Sequence, residues 1–266
     1  MPECAAIFKP AGSVMAQWIA HFIFCVVQPR SHALNSRQHL LLATALIVIV
    51  WQLPYGNMLL YPLTLLATYT HELGHGLTAL LCGEGFQSLV LHADGSGLAT
   101  WYGNPGRIAS ALIASGGLVG PTVAGVALLL LSDSPRNARR MLFVMSALVL
   151  VAVVLWLRNP FGIFFMLAVA TGFAFAAKIL GDQGAFLFLH VVAVTLCLSW
   201  FRDLSYMFSS SAIVGGRLIP SDSEQITNSL WLPYWFWGAL IAAISISLTA
   251  LGIWFVTRKP SALGSI

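Results

Sequence analysis

Apolar residues in this chain come in long, nearly unbroken runs, the pattern of helices that face lipid rather than water. The first clear run covers 40–53 and is closed by the turn residues Pro54-Tyr55-Gly56-Asn57. A second extends over about 58–82 and stops at Gly83-Glu84-Gly85. Further spans are expected at about 108–131, 141–157, 161–180, 184–201 and 232–256, the sixth continuing helically through Asp203 towards Phe208. Polar loops at 132–140 and 209–229 separate some of them. Two stretches read differently. Residues 86–102 hold two short apolar runs around Asp94-Gly95-Ser96-Gly97, which predicts a β-hairpin with a glycine turn. The run 14–27 is short for a span and carries Gln17 and His21, so 1–38 reads as an interfacial or partly inserted segment.

Composition agrees with this pattern. Of 266 residues only 8% are charged and 58% are hydrophobic, and the mean hydropathy is +0.85. So few charges cannot cover a water-soluble globule, and disorder needs the opposite balance. The net charge of +4 comes from 13 scattered Lys and Arg. That distribution offers no concentrated patch for nucleic acid. The expected fold is an all-α polytopic membrane protein with about six to seven spans. One transmembrane domain covers 39–258, with the hairpin inserted at about 86–102 and a tail at 259–266. Lys and Arg divide almost evenly between the two faces, so the charge pattern gives no orientation. The cysteines Cys4, Cys25, Cys82 and Cys197 form no Cys-x-x-Cys pair and supply neither a zinc knuckle nor a disulfide framework.

Chemistry enters with Thr70-His71-Glu72-Leu73-Gly74-His75-Gly76, an H-E-x-x-H sequence inside the second span. Residues four apart share one helical face, so the His71 and His75 imidazoles can converge on one cation. Neutral imidazole is a natural zinc ligand, and catalytic zinc sites use three protein ligands and a water. Glu72, about 100° round the helix, is placed to take a proton from that water and deliver it to a leaving amine. Chance alone predicts about 0.003 such matches in a chain of this composition. Ionisable residues at membrane depth are costly and mark function by default. Gly74 and Gly76 beside the motif imply close backbone approach, with the small-residue third span (Gly116, Gly117, Gly120) as the expected neighbour.

An H-E-x-x-H in a membrane helix, then a hairpin, then a glycine-rich span resembles the site-2 protease family of intramembrane zinc metallopeptidases. The matching pieces are YPLTLLATYTHELGHGLTALLCGEG (61–85), ADGSG (93–97) and SGGLVGPTVAG (115–125). The likeness is greatest to the small bacterial- and plant-type branch without a PDZ domain. It implies a Zn²⁺-dependent endopeptidase cutting membrane-spanning or membrane-associated protein substrates, with the hairpin pairing an unwound substrate segment as an added strand. It also implies a multi-pass protein of the lipid bilayer, most simply the plasma (inner) membrane of a bacterium. The family supplies a third ligand from a later Leu-Asp-Gly, which this chain lacks: Asn159-Pro160-Phe161-Gly162 has no such sequel.

The first choice for that ligand is Asp203, where the sixth helix continues, weighed against a boundary charge paired with Arg202 or Arg217. Asp222 is second, because Ser221-Asp222-Ser223-Glu224 reads as a helix-capping box. His190, midway along the sixth span, is a further option. His92 and Asp94 read as turn residues. The expected site is therefore His71, His75 and Asp203 as metal ligands with Glu72 as general base and acid. The alternative is a non-hydrolytic membrane scaffold or a metal-binding or transport protein on the same framework.

Overall fold

The computed structural model describes residues 36–53 and 55–258. The expected N-terminal segment 1–38 lies almost wholly outside the described residues, and the tail 259–266 lies outside them as well. The apolar runs become helices α1 (Ser36–Gln52), α2 (Gly56–Leu81), α3 (Arg107–Leu131), α4 (Pro135–Leu155), α5 (Pro160–Ile179), α6 (Asp182–Cys197) and, last in the chain, α10 (Tyr234–Arg258). Among the described residues, α3, α4, α5 and α10 are long and apolar enough to cross a bilayer. At 17 and 16 residues α1 and α6 are shorter, and α2, at 26 residues, carries the polar motif. The protein is thus an all-α polytopic membrane protein with a short β insertion. Its outward side chains fit lipid as the solvent: Val154 and Phe164 are more than 70% exposed, while the interior is closed by small residues such as Ala138, Ala177 and Ala193.

Three segments differ from the sequence reading, each for a local reason. Helix α4 starts at Pro135, inside the expected loop, because Ser134 caps it by accepting from the Asn137 amide while Pro135 takes the first helical position. The sixth helix stops at Cys197 and continues only as two single turns, α7 (Ser199–Arg202) and α8 (Leu204–Met207). There Arg202 pairs with Asp203 at 3.1 Å and also donates to the Thr64 carbonyl of α2. The polar stretch 209–229 is structured: strands β3 (Ser211–Val214) and β4 (Arg217–Pro220) form a second hairpin, followed by helix α9 (Asp222–Leu230).

The first hairpin pairs β1 (Gly85–Leu91) with β2 (Gly97–Tyr102), with a bulge between Phe86 and Ser88. Its tip is closed by Asp94, which accepts from the Ser96 amide and hydroxyl, and by Gly95 at φ +92°. The two Ser96 bonds hold the Asp94 carboxyl below its ordinary pKa. The outer edge of β1 is paired at Leu89 and Leu91. The Leu89 amide donates to Trp156 O, the Arg158 amide donates to Leu89 O, and Asn159 exchanges two hydrogen bonds with the Leu91 backbone. At the tip, Tyr61 and Thr68 of α2 donate to Ala93 O and Gly95 O. The hairpin is thereby locked onto the helix that carries the motif.

Candidate metal centre

Helix geometry brings His71 and His75 onto one face of α2, their Nε2 atoms 3.1 Å apart. His75 Nδ1 lies 2.8 Å from the Ile113 carbonyl oxygen of α3. A carbonyl can only accept, so Nδ1 carries the proton and the lone pair of the neutral ring sits on Nε2. Close packing of α2 on α3 makes this bond possible. A Cβ on Gly74 would run into the Gly116 carbonyl, and one on Gly117 into the His75 ring. Gly76 serves a different neighbour from the expected one: the Phe86 ring of β1 fills the space above it.

The carboxylate that meets the two rings belongs to Asp222. Its Oδ2 lies 2.9 Å from His71 Nε2 and 3.3 Å from His75 Nε2. Asp203, the expected third ligand, is not brought to the pair: its carboxylate is turned to Arg202, on the wall of the same cavity. The capping box at 221–224 exists, with Ser221 Oγ accepting from the Glu224 amide at 3.2 Å. Capping does not prevent Asp222 from facing the histidines. The cap fixes the start of α9, and the first helical residue then projects its carboxylate towards α2. His190 is buried elsewhere, its Nδ1 donating to Phe186 O.

Burial alone would raise the Asp222 carboxyl. The His75 and His71 imidazoles beside it outweigh burial and hold it below the ordinary carboxylate range, so it stands ionised. Its other oxygen accepts from Gln225 Nε2 at 3.2 Å, and its amide donates to the Tyr206 hydroxyl at 3.2 Å. Neither Gln225 nor Tyr206 is singled out by the sequence: Gln225, one turn on in α9, matters only once Asp222 is known, and Tyr206 meets Asp222 from the other side of the second hairpin.

The donor set fits a zinc ion. Ligand atoms about 2.0–2.1 Å from a tetrahedral ion lie about 3.3–3.4 Å from one another. The three separations here, 2.9, 3.1 and 3.3 Å, approach that triangle. Two imidazole nitrogens and one carboxylate oxygen are also a recurrent donor set of catalytic zinc sites. Among the described residues this is the group of three His, Cys, Asp or Glu side chains whose ligand atoms converge, all within 4.8 Å.

Glu72 stands beside the triangle, buried, with Oε2 accepting from the Ala99 amide of β2 at 2.7 Å. The register explains this bond. Leu89, opposite Ala99, directs its backbone groups away from β2, so the two form a non-hydrogen-bonded pair. The amide of Ala99 therefore points outward, towards α2. Gly97, two residues earlier on the same edge, leaves room for the Glu72 stem: a Cβ there would lie 2.6 Å from Glu72 Cγ. All four groups open on a cavity of about 400 Å³ walled by α2, both hairpins and α9.

Residues 40–252 match the family model described as Peptidase M50B-like. No curated protein and no solved structure matches the chain.

Proposed function

The chain belongs to the M50B-like peptidases of the site-2 protease family, and from that premise we propose that it is a zinc-dependent endopeptidase hydrolysing peptide bonds of membrane-associated proteins. The observation that carries the reading is the His71–His75–Asp222 donor triangle with the Glu72 carboxylate beside it. We assign His71, His75 and Asp222 as ligands and Glu72 as general base and acid. When bound, the ion supplies a polarised water and a Lewis acid for the substrate carbonyl.

The rest falls to the protein. Ile113 fixes the His75 tautomer, and Gln225 and Tyr206 orient Asp222. Glu72, held on one oxygen by Ala99, takes a proton from the water on the other as the water oxygen adds to the carbonyl carbon. It then gives that proton to the amine nitrogen as the C–N bond breaks. The two hairpins and α9 wall this polar cavity, and hydrolysis needs such a site because hydrocarbon excludes water. On the resemblance to the small branch, the membrane is the plasma membrane of a bacterium.

The test is Glu72→Gln in the full chain reconstituted in nanodiscs. We expect about one zinc per chain in both forms and cleavage in the wild type only. A Glu72→Gln variant that cuts as fast as wild type refutes the assignment. Zinc crossing proteoliposomes without any cleavage would favour transport instead.

A further inference from the structure

One end of the cavity carries a charged pair that hydrolysis by itself leaves unused. Thr64, Thr68, His71 and His75 follow one another at intervals of four, three and four, so a single stripe of α2 lines the cavity. At about 1.5 Å of rise per residue, Thr64 lies about 10 Å before His71 along the helix axis. Helical side chains lean towards the N-terminus, so the imidazoles close part of that distance. The donor triangle stands at the His71 end of the stripe. Arg202 and Asp203 line the cavity at the other end, where Arg202 Nη1 donates to the Thr64 carbonyl at 3.1 Å.

The pair keeps hydrogen-bonding capacity that the fold does not spend. Arg202 Nε donates to Asp203 Oδ1 at 3.1 Å, yet among the described residues nothing meets Arg202 Nη2 or Asp203 Oδ2. The side chains are 32% and 20% exposed, neither sealed in the core nor free on the surface. The void behind Arg202, about 10 Å³, has room for one water at most, so any larger group approaches from the main cavity. Asp94, on the tip of the first hairpin, is already committed to Ser96. Among the described residues lining the cavity Arg202 is the one Lys or Arg, and Asp203 balances its charge. A neutral site with a donor and an acceptor side by side matches a carboxamide, whose oxygen accepts while its NH₂ donates. A carboxylate there would face Asp203, and an ammonium would face Arg202. An aliphatic side chain would take water from both groups and return no hydrogen bond.

We propose that Arg202 and Asp203 form a specificity subsite for a substrate carboxamide side chain, Gln or Asn, two or three residues from the scissile bond. The inference rests on the peptidase reading and specifies which substrates that site selects. A peptide advances at most about 3.3–3.6 Å per residue, so two or three residues cover what is left of the distance from the imidazoles to the pair. Arg202 Nη2 donates to the carboxamide oxygen, and the carboxamide NH₂ donates to Asp203 Oδ2. The bond from Arg202 to the Thr64 carbonyl fixes the pair against the helix that carries the motif, which sets its distance from the reacting atoms.

The probes are fluorescent peptide hydroxamates, whose hydroxamate end anchors them at the zinc. Gln, Glu, Lys or Leu is placed in turn at the first to fourth residue of an otherwise constant Ala and Leu peptide. One series carries the hydroxamate at its N-terminal end and the other at its C-terminal end, so that both sides of the scissile bond are sampled. Binding is read by anisotropy to the zinc-loaded full chain in nanodiscs. In one series, Gln at the second or third residue should bind about tenfold more tightly than Leu, Glu or Lys there. At the first and fourth residues no such preference is expected. Asp203→Asn should keep its zinc and reverse the order, Glu binding more tightly than Gln, because Arg202 is then released to pair with a carboxylate. Should Asp203→Asn fail to fold, Asp203→Ala is expected to give the same reversal. No Gln preference at any position, or one that survives unchanged in the folded Asp203 variant, overturns the subsite and leaves the peptidase reading standing. A wild-type chain that holds neither zinc nor any hydroxamate overturns both.

Discussion

Substituting Gly97 by Ala tests whether β2 is a working part of the site. The added methyl would lie 2.6 Å from Glu72 Cγ and 2.9 Å from Oε1, against an ordinary carbon–carbon contact of about 3.5–4.0 Å. Strand β2 is pinned through β1 to the 156–159 segment and at its tip to α2. Glu72 must therefore give way and lose its 2.7 Å bond from the Ala99 amide. A hydrogen bond to a charged group contributes about 1.5–3 kcal/mol, which converts to a fall of about 10- to 150-fold in kcat if the bond holds the base in its working orientation. The three ligands are untouched, so zinc content should stay at the wild-type level. The assay is cleavage in proteoliposomes with zinc measured on the same samples. The double variant with Glu72→Gln should be no slower than Glu72→Gln alone, because the base the methyl displaces is already disabled. Wild-type kcat in Gly97→Ala, or additive losses in the double variant, would show that the strand does not position Glu72.

Asp222→Asn should lose most bound zinc, by more than the 10- to 100-fold typical of losing an outer partner, while Asp203→Asn keeps it; dialysis against a graded chelator followed by metal analysis separates them. Asn159→Ala removes both hydrogen bonds to the Leu91 backbone. It should loosen the first hairpin by about 1–3 kcal/mol, read as faster amide exchange across β1 and β2 with little change in the helices. Stripping zinc from the wild type should lower its unfolding temperature, whereas the same treatment of Asp222→Asn should shift it little, because only a chain that holds the ion gains from it.

The half of the site that could be read from the sequence is the half that is local. His71, Glu72 and His75 fall within five residues of one helix, and a spacing of four settles which face they share whatever the tertiary structure does. The carboxylate that meets the pair, Asp222, is 151 residues from His71, and no local pattern ties it to the motif helix. The sequence favours Asp203 because the sixth helix is expected to continue through it. In fact that helix breaks where Arg202 takes up both Asp203 and the Thr64 carbonyl. The second hairpin escaped notice because its strands are four residues long, too short for a period of two to register. Its usable signal was Gly215-Gly216 between Ala-Ile-Val and Arg-Leu-Ile, the same logic that exposed the first hairpin. The capping box at 221–224 ranks Asp222 below Asp203 in the sequence, yet capping by Ser221 leaves the Asp222 carboxylate free to face the imidazoles. Gly76 shows the same limit. Its smallness was legible, but the aromatic ring that needs the space comes from a strand.

Charge bears on the route by which the proposed third ligand arrives. Asp222 and Glu72 are both buried beside the His71 and His75 rings, a crowding of acidic groups that a low-dielectric setting penalises unless positive charge sits among them. A divalent cation at the donor triangle would supply that charge, which hydrogen bonds between neutral groups do not. Each oxygen of the pair also has an assigned partner: Asp222 Oδ1 takes Gln225, Oδ2 faces the imidazoles, Glu72 Oε2 takes Ala99, and Glu72 Oε1 is left for water. Asp222 is not carried on a spanning helix. Carried at the first turn of a nine-residue polar helix, it reaches the imidazoles through the Tyr206 and Ser221 contacts that fold 209–222 over the cavity. The hairpin that walls the cavity and the carboxylate that completes the donor triangle are thus set by the same stretch of chain, so misplacing one misplaces the other.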